Sequence, residues 1–299
     1  MESINTVSNI HSNHSVTTKK PVIADVAKEI ESYLAPLSFC DSGDRCGLAV
    51  GDENMTVTKI LCSLDITPGT LEEAKRKGCN LVVTHHPILF RPLTSVTLSQ
   101  KSTMPERCVF TAIRDGIACY AAHTSLDSSN LGHNMKMAKD LGLIDITPLQ
   151  NLDLTKRHNG DNDEVDLKFT GLGLIGKLPK PMNLLEFARK CNSLLKSYSS
   201  KLAATPEQRD MMVSTVALCS GSGMSLVNTV LHGHKADVYL TGDADYHRCL
   251  DSAWLGLPVI DCGHWGTEKA AVEILASFLK EKGYDVELSE QEEIFMKLD

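Results

Sequence analysis

Two adjacent histidines, His85 and His86, stand directly before Pro87, and further on His264 and Glu268 lie four residues apart. Imidazole and carboxylate together suit Zn, Mn, Fe, Co or Ni better than Ca or Mg. Adjacent side chains on an extended segment point to opposite sides, so His85 and His86 can each serve a different ion. If one helix holds both His264 and Glu268, they share a face, and the two oxygens of the glutamate can bridge a pair of cations. Asp127 adds a hard oxygen donor. His123, Asp243 and His247 are candidates for proton transfer or substrate contact beside the ions.

Each motif also has a plainer reading. A His-His-Pro turn can simply close a strand. Thr267 and Glu268 can complement a helix dipole, and a loop aspartate such as Asp127 is commonly just solvated. Asp243 and Asp245 suit a polar loop with a helix cap, and Asp65 reads as structural. Gly221-Ser-Gly223 before a helix is a weak phosphate-binding signal. The joint placement is what gives the metal reading its weight, because the five proposed ligands follow the ends of predicted strands.

Those strands come in an alternating pattern with helices. Apolar residues at Val22, Val26, Ile30 and Leu34 predict a helix over 22–34, and a turn-rich link through Asp41, Gly43, Asp44 and Gly47 follows it. Lys59–Asp65 reads as a strand, Pro68–Lys77 as a helix stopped by Gly78, and Asn80–Thr84 as a strand buried on both faces. A helix over 105–115 and a strand over 117–122 repeat the unit. The polar run 151–164 reads as an exposed loop at a lobe boundary. A strand over 169–175 and a helix over 183–195 form a small middle element. Strands over 213–219, 237–240, 258–262 and 285–288, with helices between them, the last over 267–282, complete an α/β pattern with largely parallel sheets. Ligands bind at the carboxyl ends of such strands. The expected organisation is a disordered tail over 1–20, a first α/β lobe over 21–150, and the middle element with a second lobe over 151–299.

Bulk properties narrow the function classes. A chain of 299 residues with 42% hydrophobic and 23% charged residues can bury a sizeable core. The net charge of -8 argues against nucleic acid as the partner. The ten cysteines are scattered, with no C-x-x-C pair, which fits reduced thiols in the cytoplasm or another reducing compartment. The apolar runs are strand-sized, so no membrane span is expected. Residues 1–20 lack the apolar segment of a secretory signal and the arginines of a transit peptide.

Five stretches together resemble the Nif-three-like family of dinuclear-metal proteins, many of whose members are called GTP cyclohydrolase I type 2 homologues. They are Leu64-Asp65-Ile-Thr, Thr84-His85-His86-Pro87-Ile-Leu-Phe90, Tyr120-Ala-Ala-His123-Thr-Ser-Leu-Asp127, Thr241-Gly-Asp-Ala-Asp-Tyr-His247 and Gly263-His264-Trp-Gly-Thr-Glu268. They occur in the family's order and span about residues 21 to 299. The resemblance implies two similar α/β lobes facing each other across two divalent ions, and a ring-shaped homohexamer. It further implies that His85 and His264 bind one ion, that His86 and Asp127 bind the other, and that Glu268 bridges both. The chain departs from the family's Trp-Asp-Asn run at Gly43-Asp44-Arg45-Cys46-Gly47-Leu48, where only Asp44, Gly47 and Leu48 are retained.

A metal pair suits hydrolysis, because each cation lowers the pKa of bound water. Opening the guanine ring of GTP would also need a triphosphate-binding surface, and no P-loop or dense basic cluster is present to supply one. A nucleotide or phosphoester substrate is the expectation, with an amide bond also open. The competing reading is a non-catalytic scaffold or metal-handling protein that binds transcription-related partners.

Overall fold

The computed structural model describes residues 20–34, 37, 40, 44–151, 171–198 and 200–296. Nearly all of the expected tail over 1–20, and of the polar run over 151–164, lies outside the described residues.

The chain begins with α1 (Ile23–Tyr33), β1 (Gly47–Val50), β2 (Ile60–Ser63), α2 (Pro68–Lys77), β3 (Leu81–Thr84), α3 (Met104–Asp115), β4 (Ala118–Ala121), α4 (Thr124–Asp127) and α5 (His133–Asp140). It continues through β5 (Ile144–Asn151), β6 (Gly171–Asn183), α6 (Leu184–Leu195), β7 (Lys201–Ala203), β8 (Met212–Leu218) and α7 (Val227–Gly233). The last part holds β9 (Val238–Thr241), α8 (Tyr246–Trp254), β10 (Val259–Asp261), α9 (His264–Glu268), α10 (Ala270–Glu281) and β11 (Val286–Leu288).

Local chemistry sets the helix ends. Thr67 caps α2 by accepting the Thr70 N–H at 3.1 Å, Pro68 opens the helix, and Gly78 closes it in the left-handed region at φ 73°. Replacing such a threonine cap costs about 1 kcal/mol. In α3 the Glu106 carboxylate accepts the Thr103 N–H at 2.6 Å, and Gly116 ends the helix.

Two sheets result, ordered β1-β4-β3-β2-β11 and β5-β6-β8-β9-β10-β7. Each is covered on both faces, as the period of two along the strands requires. Ile60, Cys62, Leu81, Val83, Ala118 and Tyr120 face α1 and α10, whereas Leu61, Val82 and Cys119 face α2 and α3. In the second sheet Val216, Leu218, Val238, Leu240 and Ile260 face α5 and α6, while Ala217, Tyr239 and Val259 pack with Val227 and Val230 of α7. α5 lies against α9 and α10, which joins the halves.

The first sheet is parallel except for the β1–β4 pair. The second is more mixed than the alternating pattern implies: only β8–β9 and β9–β10 are parallel. The lobes also do not divide at residues 150 and 151. β5 already belongs to the second sheet, and β6 and α6, the expected middle element, are part of that same layer. At the other end, β11 pairs in parallel with β2, and Ala271, Leu275, Phe278 and Leu279 of α10 pack on Ile23, Val26 and Ile30. The chain closes by returning to its first sheet, which fixes α9 between the two halves.

A candidate metal centre between the sheets

Strand ends from both sheets meet at one point. β3 delivers His85 and His86, β4 runs into His123 and Asp127, and β10 runs through Gly263 into α9 with His264 and Glu268. One Nδ1 after another is tied to an oxygen. His85 Nδ1–H donates to the Ala122 carbonyl at 3.0 Å, and His86 Nδ1–H donates to Asp65 Oδ1 at 2.8 Å. His264 Nδ1–H donates to Asp243 Oδ2 at 2.6 Å, and His123 Nδ1–H donates to Asp44 Oδ1 at 2.8 Å. Proteins orient metal-binding imidazoles in this way, with the Nδ1 proton engaged and the Nε2 lone pair directed at the ion.

Two donor clusters share Glu268. In the inner one, His85 Nε2 lies 3.6 Å from Asp127 Oδ1 and 3.7 Å from Glu268 Oε1, and His133 Nε2 lies 3.0 Å from Asp127 Oδ1. In the outer one, His86 Nε2 and His264 Nε2 stand 2.9 and 2.8 Å from Glu268 Oε2 and 3.0 Å from each other. The pairing implied by the resemblance is therefore exchanged. His85 faces Asp127, and His86 faces His264, because His86 turns toward Asp65 while His85 turns into the first sheet.

A metal fits these atoms. His85 Nε2, Asp127 Oδ1 and Glu268 Oε2 are buried and make no hydrogen bond. The contacts of Glu268 Oε2 with the two rings are short in distance, yet they lack hydrogen-bond geometry. A buried polar atom without a partner is costly. With both Nδ1 protons committed to carboxylates, neutral His86 and His264 would aim lone pairs at each other and at Glu268. A cation between them, whether a metal ion or protons on the rings, would relieve this.

The carboxylates around the rings shift their ionisation. Burial opposes charge on His86, but Asp65 and Glu268 raise it to about 10. Burial likewise opposes charge on His264, and Glu268 and Asp243 raise it to about 9. His85 is lowered by burial, which outweighs Asp127 and Glu268. Burial works to raise Glu268 and Asp127, but the surrounding imidazoles hold both below the ordinary carboxylate range. His123 is raised by Asp44 against its burial.

A glycine makes room for Glu268. Gly221 has φ +57°, and a Cβ there would come within 1.9 Å of Glu268 Oε1. Its N–H donates to Thr267 Oγ1 at 3.0 Å. Gly221 thus leaves room for the Glu268 carboxylate, and only a four-residue 3-10 turn, Gly223–Leu226, follows the Gly221-Ser-Gly223 run directly.

The remaining candidates separate. Asp243, held at φ 48°, accepts from Ser222 Oγ as well as from His264. Asp245 caps α8. His247 is exposed on α8 and contacts Tyr246 edge-on, away from the two clusters. His123 stays close, its ring 5.2 Å from that of His85 and 5.9 Å from that of His86. Asp65 does more than hold a strand end, since it orients His86 and is itself held by Gln291 Nε2 at 2.8 Å. His133 was missed by sequence reasoning. The available signal was a His-Asn pair opening α5 six residues after Asp127, and both side chains are buried against Ser220.

A cavity of about 750 Å³ opens beside the outer cluster. Asp65, His86, Asp243 and His264 form its wall on the side of the outer cluster, and Phe90, Trp265 and Phe295 give it an aromatic side. Among the described residues that line it, Lys201 is the one Lys or Arg.

Comparison with known proteins points the same way. The chain is 32% identical to the GTP cyclohydrolase 1 type 2 homolog of Lactococcus lactis, covering 91% of this chain and 96% of that one. It is 28% identical to the Drosophila melanogaster NIF3-like protein 1, over 87% and 84% of the two chains. Among solved structures, Staphylococcus aureus protein SA1388 superposes with a TM-score of 0.78 at 27% identity, over 93% of this chain and 99% of that one. A Bacillus cereus protein related to NIF3 shares the fold at a TM-score of 0.79 and 23% identity, over 94% of this chain and all of that one. With residues 22–294 matching the Duf34/NIF3 (NGG1p interacting factor 3) family, the chain that builds this paired imidazole-carboxylate site belongs to that family.

Proposed function

We propose that the chain holds two divalent ions of the Zn, Mn, Fe, Co or Ni class and acts as a metal-dependent hydrolase. The observation that carries this reading is the buried Glu268 carboxylate, unpaired at Oε2, set among three imidazoles whose Nε2 atoms face it. His85, Asp127 and Glu268 would hold the inner ion, with His133 behind Asp127. His86, His264 and Glu268 would hold the outer one. When bound, such a pair activates water and polarises the bond to be cleaved.

The protein's own groups do the rest. Asp65, Asp243 and Asp44 fix the rings of His86, His264 and His123. Asp243 on the cavity wall, and His123 with its ring 5.9 Å from that of His86, are the groups placed to move a proton. Phe90, Trp265 and Phe295 offer a stacking surface for a flat ring, which suits a nucleotide. A triphosphate would call for several cations, and the cavity wall offers Lys201. A phosphomonoester or phosphodiester, or an amide, therefore suits the site better than GTP.

Assembly into a homohexamer is part of the proposal. It is supported by Tyr246, Leu250 and Trp254, which repeat every four residues along α8 and are 72%, 40% and 72% exposed. An apolar stripe of this kind marks a surface for a protein partner. The ten free cysteines, seven of them buried, suit the cytoplasm or another reducing compartment. No described helix is long and apolar enough to cross a membrane.

The test is a hydrolysis screen over nucleotides, phosphoesters and amides, with metal-loaded wild type beside Glu268→Ala. Turnover that vanishes in the variant while its assembly persists supports catalysis. An unchanged turnover in the variant, or none in a fully loaded wild type, refutes it.

A further inference from the structure

A second group of donors lies outside the centre. Cys40, Asp44 and Cys46 each offer one ligand atom, and these atoms lie within 4.8 Å of one another. Cys40 Sγ–H donates to Cys46 Sγ at 3.6 Å, and Cys46 Sγ–H donates to Asp44 Oδ2 at 3.1 Å. We propose that Cys40, Cys46 and Asp44 form a separate binding site for one thiophilic divalent cation of the zinc, cobalt or cadmium class.

The geometry favours an ion over the two protons that now join these atoms. A tetrahedral zinc with Zn–S bonds of about 2.3 Å places its two sulfurs about 3.8 Å apart. The observed 3.6 Å is close to that spacing and far from the bond length of a disulfide, about 2.05 Å. Two thiolates and a carboxylate supply three of the four positions that zinc prefers. Binding releases the two thiol protons, and the cation then occupies the space between the sulfurs and Asp44 Oδ2.

The carboxylate is already held in place for this. Asp44 Oδ1 accepts from His123 Nδ1 at 2.8 Å, and Oδ2 accepts from the Thr124 N–H at 3.3 Å and from the Thr124 hydroxyl. Oriented acidic ligands behave in this way at metal sites. Both cysteines are half-buried, whereas seven of the other eight are buried. Since His123 lies between Asp44 and the rings of His85 and His86, an ion here would sit one side chain away from the main centre.

Sulfur ligation gives the site its own signature, because the main centre contains no thiolate. Reduced, ion-free protein is titrated with cobalt and followed by its thiolate-to-cobalt charge-transfer absorption. In wild type this band should appear and saturate at one ion per chain. It should persist in Glu268→Ala and vanish in the Cys40→Ser/Cys46→Ser double variant, which still takes up cobalt at the imidazole-carboxylate centre. Should the double variant not fold, cadmium should protect Cys40 and Cys46 of wild type from alkylation, read by peptide mass spectrometry. No band and no protection in reduced wild type would overturn the proposal. So would a band unchanged in the double variant, or a Cys40–Cys46 disulfide that, once reduced, takes up no ion.

Discussion

The inner and outer halves of the centre use the same donor types in opposite surroundings. The side chains of His85 and His133 have no solvent exposure, while those of His264 and Asp243 are 31% and 48% exposed and line the cavity. An ion in the inner position would be sealed between α5 and the strand ends, and one in the outer position would meet whatever enters. On the proposed reading the difference would separate holding from reacting: an inner ion would anchor Glu268, and an outer one would be open to a substrate. Burial also divides their response to pH, since His85 is kept neutral by its surroundings whereas His86 and His264 are raised.

The comparison can be broken at the residue that both halves share. Gly221→Ala places a methyl group 1.9 Å from Glu268 Oε1, at a backbone angle of φ +57°. Both ions should be lost, and the ion-free protein should be destabilised by about 1–3 kcal/mol in chemical denaturation. Retention of both ions would mean that Glu268 does not bridge.

Single-ligand variants should separate the halves. His264→Ala should leave the inner ion in place and remove the outer one, and Asp127→Asn should do the reverse, as read by metal content after dialysis. Loss of both ions in His264→Ala would show that the two positions are not independent. Asp243→Asn acts indirectly, through the orientation of His264, and should weaken the outer ion by about 10–100-fold while leaving the inner one unchanged. Competition with a chelator measures it.

The smallest effect is that of pH. Without ions, His86 and His264 hold protons at pH 7, because their values stand at about 10 and about 9. An incoming outer ion must displace them, so its affinity should rise with pH, by at most about tenfold per unit for each proton released, and level off near the upper value. The inner position, with His85 lowered by burial, should change little around neutrality. Calorimetry in buffers of different ionisation heats would detect the released protons, and equal heats in all buffers would contradict this assignment.

Much of this was legible in the sequence, for identifiable reasons. β2, β3, β4 and β9 are four-residue apolar runs buried throughout, and Thr67, Pro68 and Gly78 mark α2 to the residue. β5 and β7 escaped because edge strands need no continuous apolar run: in β5 only Leu149 is buried, and in β7 no residue is. The proposed ligands stood out because imidazoles and carboxylates follow apolar strands. Which histidine faces which partner depends on Asp65, Ala122 and Asp243, and sequence spacing carries no information about those contacts. His133 and Gly221 were hidden for the same reason, since one backs a carboxylate and the other makes room for one. Asp44, retained within an otherwise divergent loop, turns out to hold His123.

The most direct test is elemental analysis of tag-free protein, with wild type beside Glu268→Ala, each loaded in turn with zinc, manganese, iron, cobalt and nickel and then dialysed. Two ions bound per wild-type chain at the imidazole-carboxylate centre, beyond any held by the thiols, and neither of them in Glu268→Ala, is the expected result. A wild type that binds none of these metals there, or a variant that keeps both ions, would contradict a centre bridged by Glu268.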